Sequence, residues 1–225
     1  MARILSISFL FVLMISQFSC KEKTTEKAEV AGTAAAHDGT KYVVDIPSAI
    51  ISWIGSKPAG KHAGTIKISD GSLYVNDGKI SSGHFTIDIT SIAVTDLQGE
   101  DKLKLEQHLK GTGDKGATDF FNSTKYPTAN FEIVKLETTS TDSNSNTMVT
   151  GNLTMLDITK SVTFPANITV SDNNVSVNTL PFTINRTDWG IKYGSKSFFD
   201  NLADKFIEDN ITLQVSLSAT KKSEQ

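Results

Sequence analysis

From Tyr42 onward, apolar residues fall in short runs broken at brief intervals by Gly, Asp and Asn, the pattern of an antiparallel sandwich or barrel. Phe85, Ile87 and Ile89 alternate with His84, Thr86 and Asp88, which gives that strand one apolar and one polar face. Asp70-Gly71 and Asp77-Gly78 bracket Leu73 to Val75, and both pairs read as hairpin turns because Asp and Gly tolerate positive φ. Further along, Phe131 and Ile133 point one way and Val134 and Leu136 the other, so a bulge is expected near Ile133. Thr139 to Asn146 reads as an exposed hairpin loop. Val149, Leu153 and Met155 then pair with Val162 and Phe164 through a turn at 157–160. Asn173-Asn174 makes the next turn, and Val175 to Phe182 and Ile211 to Leu217 are the last strands. A sheet of about eight strands is able to close on itself and so remove its edges.

The strand pattern is interrupted once, between Leu103 and Phe131. Leu103, Leu105 and Leu109, interleaved with Lys and Glu, fit a short amphipathic helix that Gly111 and Gly113 stop. Behind it, Phe120-Phe121 places two bulky rings in a turn-rich segment, where they plug one end of a core. Tyr126-Pro127 forces an extended backbone, and strand resumes at Thr128. The expectation is an all-β fold carrying a helix and an aromatic lid.

The N-terminus follows a different rule. Arg3 and then an apolar run from Ile4 to Ile15 are too short to span a bilayer and have the length of a signal-peptide core. The run ends at Ser19-Cys20, which resembles the lipobox of bacterial lipoproteins, with Gln17 where an aliphatic residue is usual. Cys20, the single cysteine of the 225 residues, is therefore the expected lipidation site, and it leaves no partner for a disulfide. The expected divisions are a signal peptide over 1–19, a flexible tether over 20–39 after the acylated Cys20, one domain over 40–220, and a polar tail over 221–225. The expected address is the cell envelope, periplasm or outer membrane, with the chain held by its lipid.

Net charge is −3, and charges of both signs are interspersed, so nothing points to nucleic acid. No G-x-S-x-G, H-E-x-x-H or S-x-x-K arrangement occurs, and no catalytic residue or cofactor is expected. The four histidines, His37, His62, His84 and His108, have neither the spacing nor the Cys partners of a metal site. Arg186 is the one Arg besides Arg3, and its place beside Asn185, Asp188 and Trp189 suggests a task that Lys does not perform. That task is either an internal Arg–Asp brace or a contact to a ligand headgroup. Trp53, Phe85, Ile87, Phe131, Phe164, Phe182 and Trp189 are the candidate lining of an apolar cavity.

The run HLKGTGDKGATDFFNSTKYPTANFEI, with VTGNLTMLDITKSVTFP and INRTDWGIKYG, resembles the YceI-like family of bacterial lipid- or polyisoprenoid-binding proteins from about Thr40 to Ala219. The resemblance implies an extended lipocalin-like antiparallel barrel that shelters an amphiphilic lipid: a polyisoprenoid, an isoprenoid quinone or a fatty-acid-like chain. The alternative is an envelope interaction module whose barrel is filled by its own side chains and whose loops, Thr139 to Asn146 and Gly111 to Thr118, bind another protein. A third version, chemistry on a bound lipid, needs an inward titratable pair drawn from His84, His108 and Asp188. Oligomeric state is left open by the sequence, a dimer included.

Overall fold

The computed structural model describes residues 29–113, 116–139 and 145–223, so the expected lipidation site Cys20 and part of each candidate binding loop lie outside the described residues. The strands are β1 (Glu29–Val30), β2 (Thr40–Val44), β3 (Ile50–Lys57), β4 (Gly60–Asn76), β5 (Lys79–Val94), β6 (Thr128–Thr138), β7 (Thr147–Met155), β8 (Ile158–Val170), β9 (Asn174–Thr179), β10 (Phe182–Asn185) and β11 (Asn210–Lys221), with helix α1 (Gly99–Lys110) between β5 and β6. Every pairing is antiparallel. β4 to β9 pair in succession, β9 pairs β11, and β11 returns through β2 and β3 to β4, which closes the ring. β2 with β3 and β9 with β10 each share one place in that ring, so ten of the described strands form eight staves, as the alternation led us to expect, and the two-residue β1 adds to β8.

Turn chemistry fixes the register. Asp77 and Gly78 take φ of 49° and 72° and make the β4–β5 hairpin. Leu156 and Asp157, at φ 50° and 60°, join β7 to β8 in a two-residue turn, tighter than the expected 157–160. Asp70-Gly71 is not a turn. β4 runs straight through it with a register shift between Ile68 and Asp70, and Gly71 is there because a Cβ would stand 2.9 Å from both Phe85 and Val44. The bulge expected near Ile133 is present between Ile133 and Lys135. The strand expected from Val175 to Phe182 divides into β9 and β10 at Leu180-Pro181, where proline has no N–H for the ladder.

Helix α1 is stabilised locally and docked by its inner face. Glu100 and Asp101 begin it and His108 and Lys110 end it, in the sense that complements the backbone dipole. Gly111 closes it at φ 70°, where a left-handed residue is required. Leu105 and Leu109 pack on the core, whereas Leu103, expected on the same apolar face, is 56% exposed. Glu106 accepts the Val94 N–H at 2.8 Å and so pins the helix over the end of β5.

The described part of the expected tether is not free. Gly32 exchanges two hydrogen bonds with the Asn152 side chain at 2.9 and 2.7 Å, Ala35 N–H donates to Ile133 O at 2.9 Å, and His37 stacks on Tyr74 with centroids 4.4 Å apart. This segment lies as a strap across the sheet because the Asn152 amide has both its donor and its acceptor satisfied there.

Gly64 faces Trp53 across the β3–β4 ladder. A Cβ on it would lie 2.0 Å from Ala93 O and 2.4 Å from the indole, so the ring rests flat on bare backbone. Gly64→Ala is expected to cost about 1–3 kcal/mol, because a carbonyl of the neighbouring strand cannot yield as a side chain would. Chemical denaturation checks this; an unchanged midpoint would refute the packing.

Candidate ligand-binding cavities

Alternation along three adjacent staves builds the site. In β11, Ile211 and Leu213 face one chamber and Val215 and Leu217 the next; in β3 Trp53 and Ile51, and in β4 Ile66 and Ile68, divide in the same way. Since these are successive inward positions, the two chambers lie end to end inside the barrel. From Ile211 to Leu217 the row extends about 20 Å along the strand.

The inner chamber has a volume of about 90 Å³. Phe85, Ile87, Phe131, Phe164 and Phe182, five of the expected lining residues, form much of its wall. Their rings follow one another, with centroids 6.2 Å apart from Phe85 to Phe131, 5.7 Å from Phe131 to Phe164 and 4.4 Å from Phe164 to Phe182. Thr179 also lines the chamber, but its hydroxyl is held by the Val215 N–H at 2.8 Å. The surface offered to a guest is therefore hydrocarbon.

The outer chamber, about 220 Å³, lies beneath α1 and the aromatic lid. Leu105 and Leu109 of α1, Phe120 and Phe121 of the plug, and Trp53 enclose it, together with Ile191, Tyr193 and Ile207 of the segment before β11. The His108 ring meets Phe120 and Tyr193 edge-on at 5.1 and 4.9 Å, which ties helix, plug and loop together. Polar side chains collect here: Lys57, His62, His108 and Arg186 all line the chamber.

Three of these groups, His62, His108 and Arg186, are paired with carboxylates. His108 Nε2 lies 2.9 Å from Asp119 and His62 Nδ1 lies 2.9 Å from Asp96. Burial pushes the Asp96 carboxyl up, but hydrogen bonds from the Ala63 N–H and His62 outweigh it and hold the group below its ordinary value. Arg186 is 3% exposed. Its guanidinium donates to the carbonyls of Ile191, Ile207 and Glu208 at 3.0, 3.1 and 3.2 Å, and to Asp209 at 3.4 Å. Burial lowers its pKa, and Asp209 offsets part of that. The brace foreseen for Arg186 is thus made with Asp209 and three carbonyls at the base of β11.

One expected assignment changes. Trp189 lines neither chamber; it is wholly buried in the wall, where its Nε1 donates to Leu153 O at 3.0 Å. His84 is on the polar outer face that its alternation with Phe85 implied, stacked on His37 of the strap at 5.3 Å, so it does not supply the inward pair that the third version needs. Among residues the sequence did not single out are Lys57, Ile191, Tyr193 and Ile207. The alternation of Ile211, Leu213, Val215 and Leu217 held the signal for the β11 row, but nothing in the 190–209 segment marked Tyr193 or Ile207 as facing a cavity.

An antiparallel ring with an apolar, chambered interior is the architecture of a lipocalin-like protein. The model of the YceI-like domain matches residues 42–219, and the chain belongs to that family. Among solved structures it is similar to BcnA of Burkholderia cenocepacia, at 20% identity and a TM-score of 0.60, over 79% of this chain and 99% of that one. It is also similar to a polyisoprenoid-binding domain from Saccharophagus degradans implicated in plant cell wall breakdown, at 14% identity and a TM-score of 0.55, over 80% of this chain and 98% of that one. At these identities the likeness is one of fold. No curated protein matches the sequence.

Proposed function

We propose that the domain binds a single amphiphilic lipid, a polyisoprenoid, an isoprenoid quinone or a fatty-acid-like chain, and shelters or carries it in the bacterial envelope. The observation that carries this reading is the pair of chambers in file, the inner one walled by hydrocarbon and the outer one provided with Lys57 and His62. Together they reach the lower end of the ~300–1,000 Å³ range of ligand pockets. A tail threaded through both, with its polar end among the outer donors, shelters its methylenes from water. At about 0.8 kcal/mol for each buried CH₂, a dozen contribute roughly 10 kcal/mol before ordering costs, so no polar motif is needed for useful affinity. Family membership and the polyisoprenoid-binding neighbour agree with this reading. The signal-peptide-like run and the lipobox-like Cys20 of the sequence support an address at a membrane, where such ligands reside.

Native mass spectrometry of the gently purified protein tests the proposal. The expected result is an added mass equal to one long-chain lipid, exchangeable for an added isoprenoid or fatty acid. A protein that emerges empty and takes up neither would reject lipid carriage and leave the interaction-module reading in its place.

A further inference from the structure

Four large apolar side chains are exposed around the lid: Leu103 at 56%, Tyr193 at 43%, Phe198 at 48% and Phe199 at 50%. Leu103 is on the outer face of α1, and Tyr193 touches His108 of the same helix. Phe198 and Phe199 are carried by residues 190–209, a segment longer than a simple connection between strands needs. It is folded on itself, since Ile207 N–H donates to Gly194 O at 2.8 Å and both Phe N–H groups donate to Ser195 O, and it is tied to β3 by Glu208 N–H, which donates to Ser56 O at 2.8 Å. Two ammonium groups lie over aromatic rings here, Lys192 over Phe198 at 4.6 Å and Lys196 over Phe206 at 4.2 Å. Lys192, Lys196 and Lys205 are balanced on this segment by Asp200, Asp204 and Glu208, and its fourth acid, Asp209, is paired with the buried Arg186, so the exposed rings stand on a surface without net charge.

We propose that this lid end docks on the surface of a lipid bilayer, with Phe198 and Phe199 entering the interfacial zone and the Lys side chains at the headgroups. Aromatic rings beside Lys are the residues that settle at that depth, and charge balance suits a bilayer better than a charged protein partner. The chain outside the described residues points to the same occupant. Glu29 and Val30 pair with Ser161 and Lys160, close to the start of β8, and Ile158 at that start lies 3.7 Å from where a Cβ on Gly190 would stand. The chain therefore enters the described domain on the half of the barrel that carries the aromatic segment. Cys20 is nine residues before Glu29, a reach of about 30 Å at most, so an acyl group on Cys20 keeps the lid end within range of its bilayer. Docked in this way, the outer chamber opens towards the lipid phase.

The test uses the mature chain from residue 20 onward carrying Cys20→Ser, so that neither the apolar run over 4–15 nor an acyl chain contributes, mixed with phosphatidylcholine vesicles with or without a minor share of phosphatidylglycerol. The expected result is retention on both kinds of vesicle. Phe198→Ser with Phe199→Ser should reduce it roughly 20-fold without altering the melting temperature, because both rings are half exposed. Leu103→Ser, on a separate element, should give a smaller loss in the same direction. Absence of retention, or equal retention by the double variant, overturns the proposal. So does a double variant that dissociates a dimer, which would make the patch a contact between copies. Lipid uptake measured on the soluble double variant should be unchanged. If the parent chain takes up no lipid, the functional reading falls while the vesicle result still decides the docking.

Discussion

Replacing Val215 by Phe is expected to lower affinity for a long-chain lipid about 100-fold while the barrel stays folded. Val215 is the first inward residue of β11 on the inner chamber, and Leu213 before it faces the outer one. If a tail is threaded through both chambers as proposed, a ring at this step stands in its path. About four methylenes denied the inner chamber remove about 3 kcal/mol, which is the hundredfold. The ring enters existing space, so the cost to stability stays within about 1–3 kcal/mol. Displacement of a fluorescent fatty acid by lipids of increasing length reads the effect. Long chains should lose affinity and short ones, held in the outer chamber alone, should lose little. Equal loss at every length, or none, would show that the tail does not pass from one chamber to the other.

Arg186→Met is expected to destabilise the protein by about 3–5 kcal/mol. The substitution keeps much of the side-chain volume but leaves the carbonyls of Ile191, Ile207 and Glu208 without their donor and the Asp209 carboxylate, 15% exposed, without its cation. Arg186→Lys should restore little, because one ammonium cannot reach four acceptors spread around a planar fork. Urea denaturation of both variants measures the cost, and lipid binding by the fraction that remains folded separates the two roles considered for this residue. A stable Arg186→Met variant with impaired binding would make it a headgroup contact instead of a brace.

Much of the barrel was legible because side chains alternate strictly in a strand. The inward set Ile211, Leu213, Val215 and Leu217, the Asp77-Gly78 turn and the bulge at Ile133 each follow from local pattern. Where local chemistry was ambiguous, neighbours on other strands settled it. Asp-Gly at 70–71 carries the same turn chemistry as at 77–78, yet Phe85 and Val44 press against Gly71, and the chain stays extended. Leu103 shows the opposite failure: it sits in a helical pattern with Leu105 and Leu109 but no element among the described residues covers it.

The candidate site was legible as composition more than as geometry. Apolar residues on an inward face either pack against one another or line a void, and the pattern is identical in both cases. Trp189 and Trp53 illustrate this. Both are large, rare and on β-rich segments, but Trp189 fills the wall against Leu153 whereas Trp53 borders the outer chamber. The partners Asp119 for His108, Asp96 for His62 and Asp209 for Arg186 are 11, 34 and 23 residues distant in the chain, beyond the reach of any local motif.

By itself, then, the sequence determined that this chain is an antiparallel β protein with a short helical lid and, through its motif runs, which family it joins, because strand period and turn residues are local properties. Tertiary structure alone decided that the ring encloses two chambers in file, that basic side chains gather at the outer one, and that Arg186 is consumed by carbonyls. Each of these depends on which side chains meet across the closed barrel, and closure brings together residues that no spacing along the chain connects.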